Sequence, residues 1–213
     1  MKITIIYDNE MARDRLKTGW GFSCFIEAVG TPPILFDTGD NGASLLYNMR
    51  ELGIDPLQIG IIFISHAHSD HTGGLSDILK INRQAEIFVP ASRAPGITGR
   101  KVTPVSNTIQ VSEGIFSTGE LKGIEQSLVL ETGRGIIVVA GCSHPGVGAI
   151  LNAASAYGTV YGIIGGLHGF SDFQQLQGLE LICPCHCTQH KSEIKRLFPE
   201  QHILCGAGCE IEL

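Results

Sequence analysis

The chain has 213 residues, of which 43% are hydrophobic and 17% charged, with a formal net charge of −6. This composition excludes a disordered chain, and a negative charge without a basic stripe argues against a nucleic-acid partner. No stretch approaches the ~18 apolar residues of a membrane span, and Asp8 and Glu10 interrupt the first apolar run too early for a signal peptide. We therefore expect a single domain over 1–213, located in the cytoplasm and without a membrane partner.

The first part of the chain predicts strands and helices in alternation. Apolar runs and helical periodicity indicate strands at 3–7, 22–28 and 34–36, a helix at 43–52, a strand at 61–65 and a short helix over 73–81. Asn41 is expected to cap the first helix, and Gly53 to follow its last turn.

The rest of the chain predicts more strands and then a second alternating region. In order, we expect a strand at 86–89, a long loop over 90–106, strands at 109–111, 115–118, 127–131 and 136–140, a helix at 146–157, a strand at 160–164, a short helix at 172–179, a strand at 181–183 and a helix at 189–198. The runs 61–65 and 136–140 are apolar without alternation, which is typical of strands covered on both faces. The fold class is therefore α/β.

Cysteines are numerous and odd in number. Seven cysteines without an export signal favour reduced thiols. Cys183, Cys185 and Cys187 in "CPCHC" are spaced more closely than the usual cysteine ligands of zinc, so we interpret them as small buried apolar residues. Cys205 and Cys209 are expected to be structural.

Histidines follow the predicted strands. Six of the eight lie just beyond a strand: His66, His68, His71, His144, His168 and His186. Because the carboxyl ends of strands line the crevice of helix-covered sheets, we expect these side chains to meet.

The stretch "SHAHSDHTGG" concentrates three of these histidines with an aspartate. In an extended segment His66 and His68 point the same way and can reach one metal, whereas Asp70 and His71 can serve a second. Imidazole and carboxylate suit Zn²⁺, Fe²⁺ or Mn²⁺. A solvated polar turn is the alternative, but four such residues in six positions favour metal. His144 and His186 are the best placed further ligands.

This stretch resembles the signature of the metallo-β-lactamase superfamily. "ILFDTG", "WGFSCFIE", "GCSHPGVGAIL", "GGLHGF" and "PCHCT" are similar to the branch that includes the archaeal dihydropterin synthase-like proteins. The resemblance implies an αββα sandwich of two mixed β-sheets with helices on both outer faces and metals at one edge.

The resemblance also implies roles for individual residues. His66, His68 and His144 would bind the first metal. Asp70, His71 and His186 would bind the second. Asp37 would hold the motif by hydrogen bonds without touching metal.

Two positions depart from the family pattern. Cys142 stands where many members have a bridging aspartate, so it is a possible bridging ligand. Trp20 stands where the branch often has histidine, so we do not transfer the pterin substrate.

The expected function is hydrolysis of a small ester, phosphoester, thioester or amide by water activated at two divalent ions, with zinc preferred. Asp70 and His168 are the catalytic candidates; His168 could instead be a ligand, a substrate contact or a structural histidine. Two alternatives stay open: a dihydropterin synthase-like transferase, and a non-catalytic or di-iron redox protein. His68 in place of glutamate argues against the di-iron reading. The partner is a small-molecule substrate, and a homo-oligomer is possible.

Overall fold

The computed structural model describes residues 1–93 and 99–213. Two mixed β-sheets pack face to face, and helices cover their outer faces. The predicted αββα class is therefore confirmed. Within the described residues, no helix combines the length and the apolar character that crossing a membrane requires.

The first sheet has seven strands: β1 (Lys2–Tyr7), β2 (Ser23–Glu27), β3 (Ile34–Phe36), β4 (Ile61–Phe63), β5 (Glu86–Pro90), β6 (Val102–Val105) and β13 (Glu210–Glu212). Their order is β13-β1-β2-β3-β4-β5-β6. The strands from β13 to β3 are antiparallel, and those from β3 to β6 are parallel.

The second sheet has six strands: β7 (Ile109–Ser112), β8 (Ile115–Ser117), β9 (Leu128–Thr132), β10 (Gly135–Ala140), β11 (Val160–Gly166) and β12 (Leu181–Cys185). Their order is β12-β11-β10-β9-β8-β7. Parallel pairing joins β10, β11 and β12, so these three strands end at the same edge.

The helices are α1 (Gly42–Glu51), α2 (Ser69–Thr72), α3 (Leu75–Ile81), α4 (Val147–Ala154) and α5 (Lys191–Leu197). Short 3-10 turns occupy Pro56–Gln58, Ala91–Arg93, Ser155–Tyr157 and Phe173–Leu176. Apolar residues of α1 and α3 pack on the first sheet, and those of α4 and α5 on the second. As predicted, the Asn41 side chain caps α1, accepting a hydrogen bond from the Ser44 backbone N–H at 2.9 Å.

The core lies between the sheets because alternate residues of each strand point inward. Phe36 and Phe63 stack there with ring centroids 5.6 Å apart, and Leu130, Val139 and Ile164 approach from the second sheet. This packing fixes the ends of β3 and β4 against those of β10 and β11.

Three predictions for the fold are wrong. The segment 90–106 is not all loop, because β6 pairs with β5; its residues 94–98 lie outside the described part of the chain. The last strand is β13, three residues long with only Ile211 buried, and it forms because β1 offers a free edge. Cys185 and Cys205 are joined as a disulfide, because the segment before β13 runs beside β12 and brings their Cα atoms to 5.3 Å.

Candidate metal centre

The H-x-H-x-D-H stretch begins just after β4. His66 follows the strand and is buried, whereas His68 is exposed. Asp70 and His71 lie on the short helix α2, which starts at Ser69. The loop after β4 thus carries His66 and His68, and the helix carries Asp70 and His71.

Four histidine rings from three separate segments meet at this edge of the sheets. Ring centroids of His66 and His71 are 4.1 Å apart, and that of His144 is 4.8 Å from His66. The ring of His186 is 5.1 Å from that of His71. His144 follows β10 and His186 follows β12, so the predicted convergence of strand ends is confirmed.

The donor atoms fall into two groups, within each of which all atoms lie within 4.8 Å of one another. One group contains Asp70, His71, Cys142 and His186, and the other contains His66, Cys142 and His144. His68 stands beside the second group, with its Nδ1 3.1 Å from His66 Nε2. The Cys142 sulfur belongs to both groups, which is the position a bridging ligand would take.

These residues fit a pair of divalent ions. Among residues 1–93 and 99–213, the buried His144 Nε2 has no hydrogen-bond partner, which is costly unless another ligand occupies it. Burial, with the neighbouring histidines, lowers the pKa of both His66 and His144. Their imidazoles are therefore neutral at physiological pH, the form that binds metal.

Asp37 orients the motif from behind. It is fully buried after β3, and its carboxylate accepts hydrogen bonds from the Ser65 backbone N–H and hydroxyl, each at 2.7 Å. Its Oδ2 also lies 2.7 Å from His71 Nδ1. Burial alone would lower the pKa of His71, but the Asp37 carboxylate outweighs it and raises that pKa. This contact turns His71 Nε2 towards the Cys142 sulfur, 3.1 Å away.

Asp8 and Asn9, which follow β1, hold His186 in the same way. Asp8 accepts a hydrogen bond from the His186 backbone N–H at 2.7 Å, and Asn9 Oδ1 lies 2.9 Å from His186 Nδ1. On the other side of the ring, Nε2 is 3.2 Å from Asp70 Oδ2. Burial lowers the pKa of His186 to about 4.

Glu125 is a supporting residue that sequence reasoning missed. Its buried carboxylate accepts hydrogen bonds from four consecutive backbone N–H groups, those of residues 141–144, at 2.9–3.1 Å. It therefore fixes the loop that carries Cys142 and His144. The lone glutamate in "GIEQS" carries no motif that would have indicated this role.

Backbone strain also concentrates here. Among the described residues, positive φ outside glycine occurs at six positions, and four of them are Asp37 (52°), Ser143 (59°), His168 (49°) and His186 (46°). Side chains other than glycine adopt this region at a cost, which persists where surrounding contacts enforce it. Each of these residues lies one to three positions beyond a strand that ends at the centre.

Cys142 also faces a second thiol. The Cys187 sulfur lies 3.3 Å from the Cys142 sulfur. That hydrogen bond, together with burial, raises the pKa of Cys142. The metal-free Cys142 is therefore a neutral thiol, and it would release its proton on binding metal.

The mouth of the centre is lined by exposed side chains. His168 follows β11, with its ring 5.2 Å from that of His144. Trp20 is 60% exposed and stands edge-on to His186 at 5.0 Å. His168 thus lies where a bound molecule would meet it.

Fold and site together define a metallo-β-lactamase-type sandwich with a histidine-rich centre at one edge. A family model described as "Metallo-beta-lactamase superfamily" matches residues 21–153, and the chain belongs to that superfamily.

Three similar proteins refine this assignment. The chain is 30% identical to the 7,8-dihydropterin-6-methyl-4-(beta-D-ribofuranosyl)-aminobenzene-5'-phosphate synthase of Methanocaldococcus jannaschii, covering 86% of this chain and 84% of the synthase. Tm1679 is described as a metal-dependent hydrolase of the beta-lactamase superfamily. Its structure superposes on this chain with a TM-score of 0.79 at 25% sequence identity, and the match covers 100% of this chain and 99% of Tm1679. The Igni18 metallo hydrolase of Ignicoccus hospitalis shares the fold at 15% identity and a TM-score of 0.65, over the full length of both chains.

Proposed function

We propose that the protein is a metal-dependent hydrolase that uses two divalent ions, with zinc preferred, to attack a small ester, phosphoester, thioester or amide. The observation that carries this proposal is the pair of donor groups sharing the Cys142 sulfur, one of which contains the unpartnered His144 Nε2. The similarity to a metal-dependent hydrolase over the whole chain supports it.

We assign His66, His68 and His144 to one ion and Asp70, His71 and His186 to the other, with Cys142 between them. When bound, such ions activate water as a nucleophile and polarise the bond to be cleaved.

The chain's own residues then have distinct tasks. Asp37, Asp8 and Glu125 keep the ligands oriented before the substrate arrives, because their carboxylates are held by fixed hydrogen bonds. His168 at the mouth gives a proton to the leaving group, and the exposed Trp20 forms one wall of the substrate pocket. Asp70, beside its role as ligand, positions His186 through the 3.2 Å contact.

Turnover of generic substrates tests the proposal. Phosphodiester, ester, thioester and lactam substrates should include at least one that the protein hydrolyses, and chelator should abolish the reaction while zinc restores it. The double variant His66→Ala/His68→Ala should be inactive, whereas the control His202→Ala, which changes a histidine outside the centre, should keep activity. Hydrolysis that survives both chelator and the double variant contradicts the proposal.

A synthase or transferase is the second candidate. Its support is the 30% identity, over most of both chains, to the Methanocaldococcus jannaschii synthase described above. Incubation of a dihydropterin that carries a leaving group on its 6-methyl carbon with 4-(beta-D-ribofuranosyl)-aminobenzene-5'-phosphate, followed by mass spectrometry, separates the two candidates. Metal-dependent formation of a condensed product, with no hydrolysis of any substrate class, would favour the synthase.

The remaining expectations stay predictions: a cytoplasmic location, a small-molecule substrate, no nucleic-acid partner and possible homo-oligomers. The di-iron redox alternative also stays untested, and iron analysis of the purified protein decides it.

A further inference from the structure

A second set of metal-binding side chains lies between the sheets, apart from the histidine centre. We call it the cysteine cluster; it consists of Cys183, Cys185, Cys205 and Cys209. Cys183 and Cys185 are two apart on β12 and therefore point to the same face, into the core shared by the sheets. Cys205 and Cys209 flank the turn that leads into β13.

Three of the four sulfurs are close together. Cys183 and Cys185 have their Sγ atoms 3.8 Å apart, and these atoms lie within 4.8 Å of the Cys205 sulfur. Cys209, four residues after Cys205, is partly buried and packs against the same core cluster. In this structure Cys185 and Cys205 form a disulfide, so reduction by a dithiol, which itself becomes a disulfide, would leave four thiols at one place.

The turn "CGAGC" is tight. The Cys209 backbone N–H donates to the Gly206 carbonyl at 2.9 Å. Gly208 has φ +91°, a conformation that other residues rarely adopt. The three-residue gap between Cys205 and Cys209 lies within the usual range for paired zinc ligands. The close spacing of Cys183 and Cys185 argued against zinc when the "CPCHC" stretch was considered alone. Cys205 and Cys209, from a later segment, supply the second pair of ligands.

Geometry and burial both favour a structural metal over a reactive thiol. Sulfurs about 2.3 Å from a tetrahedral zinc lie about 3.8 Å from each other, which is the separation of the Cys183 and Cys185 sulfurs. Three of the four cysteines are less than 5% exposed, so a substrate does not reach them. Four cysteines with no open position are typical of zinc sites that stabilise a fold.

We propose that the reduced cysteine cluster binds one zinc ion through its four sulfurs. Each thiol releases its proton on binding, so the four protons leave to solvent and the ion sits among four thiolates. Lys191, whose Nζ is 3.9 Å from the buried Asp8 carboxylate, supplies positive charge on this side of the core.

This ion would tie β12 to the segment before β13, behind the histidine centre. Cys185 directly precedes His186, and Asp8 lies 3.5 Å from the Cys205 sulfur while it accepts the His186 backbone N–H. A filled cluster would therefore hold His186 in place, but the proposal does not depend on what the histidine centre catalyses.

The test counts zinc ions per chain by native mass spectrometry, after reduction and loading with zinc alone. The variant Cys183→Ser/Cys209→Ser should bind one ion fewer than wild type, and the control Cys24→Ser, which alters another buried thiol of the same core, should bind the wild-type number. In His66→Ala/His68→Ala, whose histidine centre is disabled, the cluster ion should remain. Equal counts in wild type and the double serine variant overturn the proposal.

A second measurement needs no variant, in case the serine substitutions impair folding. Zinc should protect all four cluster cysteines of the reduced wild-type protein from alkylation, as mapped by peptide mass spectrometry, and chelator should remove that protection. Alkylation that is unaffected by zinc, or a Cys185–Cys205 disulfide that persists under reduction, also overturns the proposal.

Discussion

The histidine centre and the cysteine cluster lie on either side of Asp8, yet they differ in donor type and access. At the centre, imidazole and carboxylate donors face a mouth where His68 and His168 are exposed. In the cluster, the donors are sulfurs, three of them buried between the two sheets and that of Cys209 partly buried. Catalytic metal sites keep a position open, whereas structural sites are closed by protein ligands. This difference is the reason for proposing catalysis at the centre and stabilisation of the fold at the cluster.

The largest effect is expected from His66→Ala/His68→Ala. It removes two of the three histidines assigned to one ion and leaves the cysteine cluster unchanged. Hydrolysis should therefore fall to background while the protein stays folded. Activity assays with circular dichroism measure both. A variant that keeps substantial activity would show that the centre does not perform the chemistry.

His168→Asn tests the mouth of the histidine centre without changing an assigned metal ligand. Loss of a proton donor should lower kcat by roughly 10²–10⁴-fold, and the number of bound metal ions should not change. For substrates whose leaving group needs no proton, the fall in kcat caused by His168→Asn should be smaller. An unchanged kcat for every substrate would exclude His168 as the acid.

Glu125→Gln tests how far the histidine centre depends on the hydrogen bonds that hold residues 141–144. A neutral amide offers one acceptor to four N–H groups, so the free energy of unfolding should fall by about 3 kcal/mol, and the loop bearing Cys142 and His144 should lose its metal affinity. The exposed Glu113→Gln is the matched control, with an expected change within about 0.5 kcal/mol. Denaturant unfolding measures both, and equal stabilities would contradict the role given to Glu125.

The last prediction concerns the pH dependence of stability, and it rests on His186 in the histidine centre. His186 has a folded pKa of about 4, below the ~6.5 of an unfolded histidine, so the unfolded chain binds more protons between these values. The unfolding free energy of the metal-free protein should therefore fall as pH decreases from 6.5 to 4, with up to about 3 kcal/mol from His186. In His186→Gln this dependence should be shallower; identical slopes would contradict it.

The two regions also differ in how much of them the sequence predicts. A compact motif and histidines that follow apolar strands indicate the centre, so its position and the α/β class could be predicted from local pattern. The αββα arrangement was predicted from the resemblance to the metallo-β-lactamase superfamily. No local pattern indicates the cysteine cluster, because Cys183 and Cys205 meet only where the segment before β13 runs beside β12.

The residues that orient the metal ligands were predicted only in part. Asp37 was predicted because it stands in a motif, and Asp8 and Asn9 follow a strand. Glu125 has no such signal, since its role is to accept backbone N–H groups, which every residue type supplies. Short edge strands such as β6 and β13 were missed because three or four residues carry too little periodicity.

The most direct test of the two-metal centre is a metal count on Cys183→Ser/Cys209→Ser, purified without chelator and free of the cysteine cluster. Native mass spectrometry should find two divalent ions per folded chain, and both should be absent once His71 and His144 are also replaced by alanine. A folded chain that carries no ion, or whose ions survive those replacements, would contradict the account.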